Sequence, residues 1–226
     1  MVEYLSNDFE IAISSRSRDA ETIAKSGGVL TSLEETCDCD IVIPSVPISS
    51  FEATIKKIAP LVDGNLVLDV CSVKEYPAKV MQERLSEATG ILATHPMFGP
   101  DSANDTLAGQ KIVLYGVRIE GALYDCIKQY LTQLGLTVIE VTPEEHDRQI
   151  ARSQVLTHFI GRGLSVYDAN PVAIDTEGYK RLLKILDVVE NDTSELFHDL
   201  NTYNRFAAEA RAEFLQALQD IDRELR

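Results

Sequence analysis

The residues best suited to chemistry lie between Thr94 and Gly109, where His95, Pro96, Met97, Phe98, Gly99, Pro100, Asp101 and Ser102 crowd an irregular stretch behind a strand-like apolar run. Loops at strand C-termini are where α/β proteins place binding and catalytic groups. A neutral imidazole can accept a proton near pH 7, so His95 can serve as a base, although by residue type alone a loop histidine bonded to backbone is the plainer reading. Ser72 offers a hydroxyl past another apolar run, where capping a helix is the plainer reading. Gln154 and His158 stand at i and i+4 and would project from one helix face. His158 could bind or polarise a carboxylate if protonated, or donate one hydrogen bond if neutral. A satisfied helix histidine is its alternative.

A second cluster is Ser15, Arg16, Ser17 and Arg18, which follows the apolar run Phe9 to Ser14. Its hydroxyls and guanidinium groups suit a phosphate dianion. In isolation such a turn is ordinary solvated charge. At the end of the second strand of a dinucleotide-binding fold, however, an Arg accommodates the 2′-phosphate of NADP, where an acid would select NAD. Asp19 is expected to cap the helix that follows. The chain contains no Gly-x-Gly-x-x-Gly turn, and Gly27-Gly28 reads as a plain turn. Val2 to Leu5 then read as the end of a first crossover helix, and about one βα unit, on the order of 25 residues, is expected upstream.

These groups must be held by strands and helices, and the hydrophobic pattern supplies both. Strand-like runs are expected at Phe9–Ser14, Asp40–Val46, Leu66–Val70, Ile91–Thr94, Lys111–Tyr115 and Thr137–Val141. Helical spacing falls between them, as at Phe51, Ile55, Ile58 and Leu61, or Leu123, Ile127, Leu131 and Leu134. Strands separated by such helices imply parallel pairing through right-handed crossovers. Beyond Glu144 the strand-like runs stop. Leu182, Leu183, Ile185, Leu186, Val188 and Val189, then Leu196, Leu200, Phe206, Phe214 and Leu218, keep helix-like spacing to the end. The expected fold class is therefore α/β: an N-terminally incomplete, Rossmann-like parallel sheet domain over 1–142, followed by a helical substrate and dimerisation domain over 143–226.

Composition excludes some partners. With 45% hydrophobic and 25% charged residues the chain has an ordinary globular balance. Its net charge of −15 sets up a potential that repels nucleic acid and anionic lipid. No run approaches the roughly 18 apolar residues of a membrane span, and no signal peptide is recognisable, so a cytoplasmic protein is expected. The four cysteines, Cys37, Cys39, Cys71 and Cys126, have no zinc spacing with the histidines and read as reduced thiols; no metal is expected.

Leu68-Asp-Val-Cys-Ser-Val-Lys-Glu-Tyr-Pro followed by Ala93-Thr-His-Pro-Met-Phe-Gly-Pro-Asp-Ser resembles the arogenate and prephenate dehydrogenases, most closely the plant-type arogenate enzymes. The resemblance continues through Glu145-His-Asp-Arg, Ser153-Gln-Val-Leu-Thr-His and Asp175-Thr-Glu-Gly-Tyr. It implies NADP-dependent oxidation of a cyclohexadienol with loss of its ring carboxylate as CO2, giving tyrosine from arogenate or hydroxyphenylpyruvate from prephenate. It further implies His95 as the base, Ser72 as the hydroxyl that orients it or the substrate alcohol, and Ser45, Val46 and Pro47 as the segment beneath the nicotinamide. Lys74, Gln154 and His158 would line the substrate pocket. Asp147 would favour arogenate by facing its ammonium, with helix capping as the competing role. The late-helix Arg that binds a substrate carboxylate in some members has no clear match, Arg205 being nearby. A homodimer acting on a small molecule is the expected assembly. Because the glycine turn is missing, a truncated, catalytically silent or partner-dependent family member is the alternative. Other β-hydroxyacid-type dehydrogenases rank third, since they lack His-Pro-Met-Phe-Gly-Pro.

Overall fold

The computed structural model describes residues 2–16, 19–99, 103, 106–190 and 192–226. Its chain alternates α1 (Val2–Leu5), β1 (Ala12–Ile13), α2 (Ala20–Lys25), β2 (Val29–Leu30), α3 (Leu33–Cys37), β3 (Ile41–Val42), α4 (Ile48–Ile58), β4 (Leu66–Asp69), α5 (Glu75–Arg84) and β5 (Gly90–Pro96). The sequence continues through β6 (Lys111–Arg118), α6 (Gly121–Gln133) and β7 (Thr137–Glu140). Thereafter the described elements are helical: α7 (Pro143–Ile150), a π-helical segment (Ala151–Val155), α8 (Leu156–Val166), α9 (Glu177–Glu190), α10 (Ser194–Tyr203) and α11 (Ala207–Glu224).

Each predicted strand run overlaps an observed strand, with β5 and β6 extending beyond theirs, and β2 is an addition. Its two residues sit between the Gly27-Gly28 turn and the Ser32 helix cap, too short a run to show alternation. Asp19 caps α2 as expected, its side chain accepting from the Thr22 amide. The strands form two sheets, β1-β2 and β3-β4-β5-β6-β7, with β1 and β3 not hydrogen-bonded to each other. A dinucleotide-binding sheet runs 3-2-1-4-5-6, so β2, β1, β3, β4 and β5 occupy the places of strands three, two, four, five and six. The break in the sheet falls at the place of strand one.

All ladders are parallel except β5 with β6, whose register pairs His95 with Val113 and Pro96 with Ile112. This ladder corrects one expectation. His95 and Pro96 belong to the strand, and the irregular stretch begins only at Met97, because β6 returns directly beside β5 and extends its pairing.

The core lies on both faces of the larger sheet. One cluster joins Phe51, Ile55 and Ile58 of α4 to Val67, Val80, Met81 and Ile91, and runs on into Ile150, Val155, Leu200 and Ala207. The sheet and the helices after β7 therefore share one continuous apolar core. The other cluster packs Leu66, Leu92, Ile112, Leu114 and Leu136 against Ile127 and Leu131 of α6. Within the helices, Gly161 of α8 lets α9 approach closely: a Cβ there would lie 2.6 Å from Val189 Cγ1 and 3.2 Å from Ile185 Cγ2.

Candidate active site

Parallel strands release their C-terminal ends along one edge of the sheet, and the predicted residues emerge there. Val46 and Pro47 follow β3, and Pro47 precedes the first turn of α4. Ser72 follows β4, and His95 lies on the neighbouring β5, two residues beyond Ala93, which pairs with Asp69. A cleft of about 210 Å³ opens here, lined by Val46, Pro47, Cys71 and Ser72 from the sheet side and by Thr193, Glu195, Leu196 and Asp199 from the start of α10. Ser45 is exposed beside it. A larger groove of about 610 Å³, lined by Arg148, Arg152, Phe206 and Glu213, includes none of the predicted residues. Of the predicted site residues, Val46, Pro47 and Ser72 line the smaller cleft.

His95 is only 3% exposed, so no more than a ring edge can meet a substrate. Its Nδ1 lies 2.9 Å from Nε2 of His146, and Nδ1 of His146 lies 2.7 Å from Oδ1 of Asp147. Burial, then the neighbouring His146, then the Lys74 cation hold the His95 imidazole far below the ordinary histidine pKa. The ring is therefore neutral near pH 7, the state a base requires. His146 was not anticipated from the sequence. Its place next to Asp147 in the Glu-His-Asp-Arg motif was the available signal, but its contact with His95 spans 51 residues.

Two residues expected to touch substrate lie elsewhere. Asp147 is fully buried, and its carboxylate accepts from the backbone amides of Lys74 at 2.7 Å and Glu75 at 3.0 Å as well as from His146. It caps the start of α5 from another part of the chain and faces no ammonium. The capping role considered for Ser72 is thus filled by Asp147, and the helix start has no side-chain cap of its own. Lys74 is also fully buried. Its Nζ pairs with Asp69 Oδ2 and donates to the Thr94 carbonyl, while Asp69 also accepts from the Cys71 and Thr94 amides. This network fixes the ends of β4 and β5, and hence Ser72 and His95, relative to one another. A substrate could reach neither side chain without displacing it.

Gln154 lies in the π-helical segment and His158 on α8, with Arg162 four residues further on. Gln154 Oε1, His158 Nδ1 and Arg162 Nε are buried and have no hydrogen-bond partner among the described residues. His158 Nε2 lies 3.3 Å from Asp192, and burial, partly opposed by Asp192, holds its pKa below the ordinary value. A π-helical segment, Ala151–Val155, lies between His146 and His158. Twelve residues separate them, which on a regular helix leaves them about 120° out of phase. One residue inserted by the π segment takes back about 100°.

At the cofactor end, Ser15 is half-buried and Arg16 exposed just past β1, while Ser17 and Arg18 lie outside the described residues. So do Pro100, Asp101 and Ser102 of the loop. None of the four cysteines is disulfide-bonded, and burial pushes the Cys71 thiol well above the ordinary range, so it stays protonated. Among the described residues no group of His, Cys, Asp and Glu is placed to hold a metal, and no helix is long and apolar enough to cross a membrane.

The sheet order and the cleft at its C-terminal edge define a nucleotide-binding α/β domain with a helical companion. Residues 7–140 match the family described as "Prephenate dehydrogenase, nucleotide-binding domain", and residues 164–226 match "TYRAAT1-like, C-terminal domain". The chain belongs to the prephenate dehydrogenase family. It is 34% identical over 193 residues to chloroplastic arogenate dehydrogenase 2 of Arabidopsis thaliana, covering 82% of this chain and 54% of that protein. Against a probable arogenate/prephenate dehydrogenase of Methanocaldococcus jannaschii it is 31% identical over 192 residues, covering 80% and 43%. The chain thus spans about half the length of these relatives. In fold it resembles Aquifex aeolicus prephenate dehydrogenase in complex with hydroxyphenyl propionate and NAD+, with a TM-score of 0.76 at 20% identity over 99% of this chain and 85% of that one. Synechocystis arogenate dehydrogenase gives 0.72 at 19% identity over 97% and 84%.

Proposed function

We propose that the protein oxidises arogenate with NADP+, releasing CO2 and forming tyrosine, with His95 as the base that takes the hydroxyl proton. The observation that carries this reading is the neutral, buried His95 on β5, held next to the strand end that presents Ser72 to the cleft. When bound, the nicotinamide accepts the hydride. Val46 and Pro47, which line the cleft, would hold it, and Arg16 past β1 would read a 2′-phosphate. His95 draws off the proton as the carbon-oxygen double bond forms, Ser72 orients the alcohol, and expulsion of the ring carboxylate makes the ring aromatic.

His158 and Gln154 keep their roles as substrate groups, joined by Arg162. The Arg162 Nε–H is the donor on offer to a carboxylate, while neutral His158, with Nε2 facing Asp192, presents a lone pair at Nδ1 and Gln154 Oε1 is a second acceptor. For the choice between arogenate and prephenate, the carboxylates that line the cleft are Glu195 and Asp199. Asp199 is buried and accepts from the Ser49 amide and hydroxyl, whereas exposed Glu195 shares only the Ser49 hydroxyl at 3.3 Å and is the carboxylate we assign to meet an ammonium. The exposed apolar residues Leu215, Leu218 and Ile221 of α11 support assembly with a second copy.

A second reading is favoured by the break in hydrogen bonding between β1 and β3: the chain binds ligands but does not turn over unaided. Assay of NADP+ reduction with arogenate, beside prephenate and NAD+, separates the two. Turnover that falls roughly 10²- to 10⁴-fold in His95→Asn, with cofactor affinity kept, supports the first. A silent chain that still binds arogenate supports the second, and a mild loss in His95→Asn moves the base elsewhere.

A further inference from the structure

His146 and Asp147 have no part in substrate contact, yet they sit behind the ring that does the chemistry. Asp147 accepts hydrogen bonds from Lys74 N, Glu75 N and His146, and a carboxylate so occupied has no proton to offer. Nδ1 of His146 must therefore carry the proton in that contact. With the His146 ring neutral this is its one N–H, and Nε2 of His146 presents a lone pair to His95. Nδ1 of His95 is then the donor, and the lone pair of His95 is left on Nε2. Hydrogen bonding by one ring nitrogen sets the tautomer of the other.

We propose that His146 and Asp147 are positioning residues that lock His95 as its Nδ1–H tautomer, with the start of α5 as the fixed point that aims the carboxylate. This rests on His95 being the base. In the step itself the substrate O–H bond breaks, an N–H bond forms at His95 Nε2, and the electron pair left on oxygen becomes the C=O bond as hydride departs to the oxidised nicotinamide. His95 Nδ1–H stays bonded to His146 throughout, so the imidazolium formed keeps a neutral acceptor behind it. Free imidazole side chains favour the Nε2–H form, and the arrangement holds both rings in the less common one. Asp147 can do this without a flexible linkage because its orientation is set by two backbone amides and its own carbonyl accepts from Asn204 Nδ2 at 2.7 Å.

The test is ¹⁵N NMR of the imidazoles in the intact chain, which needs no turnover. His95 and His146 are each expected to show a protonated Nδ1 and an unprotonated Nε2 at pH 7.5. His146→Phe, which keeps a ring but removes the acceptor, should return His95 toward the Nε2–H form, and His146→Gln, whose Oε1 can accept, should restore it in part. In turnover, His146→Phe should lower kcat by roughly 10²-fold or more with KM for arogenate little changed, since a wrong tautomer disables a base without loosening the substrate. An Nε2–H His95 in the parent protein, or a His95 spectrum unmoved by His146→Phe, would overturn the proposal. If the tautomers are as expected but His95→Asn retains turnover, the relay stands and the assignment of the base fails. Should His146→Phe not fold, the parent spectrum and His146→Gln still decide the point.

Discussion

Replacing Lys74 with methionine separates a substrate contact from a structural one. Lys74 and Asp69 are both fully buried, and the Lys74 ammonium is the only cation paired with Asp69 among the described residues. Methionine keeps the length of the side chain and fills the same space, so packing changes little. What remains is an Asp69 carboxylate in the core with only the Cys71 and Thr94 amides as donors. Removing one partner of a buried pair costs about 3–5 kcal/mol, because the other charge is left uncompensated. Against a total stability of roughly 5–15 kcal/mol this is a large fraction. Urea unfolding followed by circular dichroism would read the loss, and Asp69→Asn in the Lys74→Met background should recover part of it by removing the stranded charge. The sign of the pH effect follows: in Lys74→Met, Asp69 is protonated more readily in the folded state than in the unfolded one, so the deficit shrinks as pH falls toward 5. A loss below about 1 kcal/mol with a large rise in KM would refute the structural account and return Lys74 to the substrate pocket.

Other outcomes follow from the same geometry. His95 and His158 both have lowered pKa values in the fold, so below the unfolded value of about 6.5 the unfolded chain binds more protons and stability must fall with pH; an acid titration of Tm in His95→Asn should show a shallower slope there than the parent. For the same reason the acid limb of kcat/KM should sit well below pH 6.5. Glu195→Gln should lower the preference for arogenate over prephenate by about two- to fivefold, the worth of one exposed charge contact, and unchanged selectivity in parallel assays would remove Glu195 from recognition. Gly161→Ala places a methyl against Val189 and Ile185 and should cost about 1–3 kcal/mol in urea unfolding through forced separation of α8 and α9.

The strands were legible because buried parallel strands read as short apolar runs, and Leu66–Asp69 and Lys111–Arg118 stand out against helical spacing on either side. Val29–Leu30 did not, since two residues carry no period. The motif that holds Ser72, Lys74 and His95 was legible as a resemblance, but the roles within it were not equally so. Burial decides them, and burial is a property of the packed fold: Lys74 reads as a solvated or substrate-facing cation until β4 and β5 close around it. Asp147 was misplaced for a related reason. A carboxylate that caps a helix start 73 residues away leaves no local spacing to find. His146 was hidden likewise, its contact with His95 spanning 51 residues, and the π segment Ala151–Val155 cannot be read from a sequence whose apolar spacing there fits an ordinary helix.

The central claim is that this chain carries an arogenate-oxidising site whose base is His95. The most direct measurement is the rate of NADP+ reduction at 340 nm with arogenate, for the parent protein and His95→Asn at equal concentration and with cofactor binding measured on both. The account predicts arogenate-dependent reduction in the parent, weaker with prephenate, and a drop of roughly 10²- to 10⁴-fold in the variant with cofactor affinity intact. Reduction that survives in His95→Asn would contradict it.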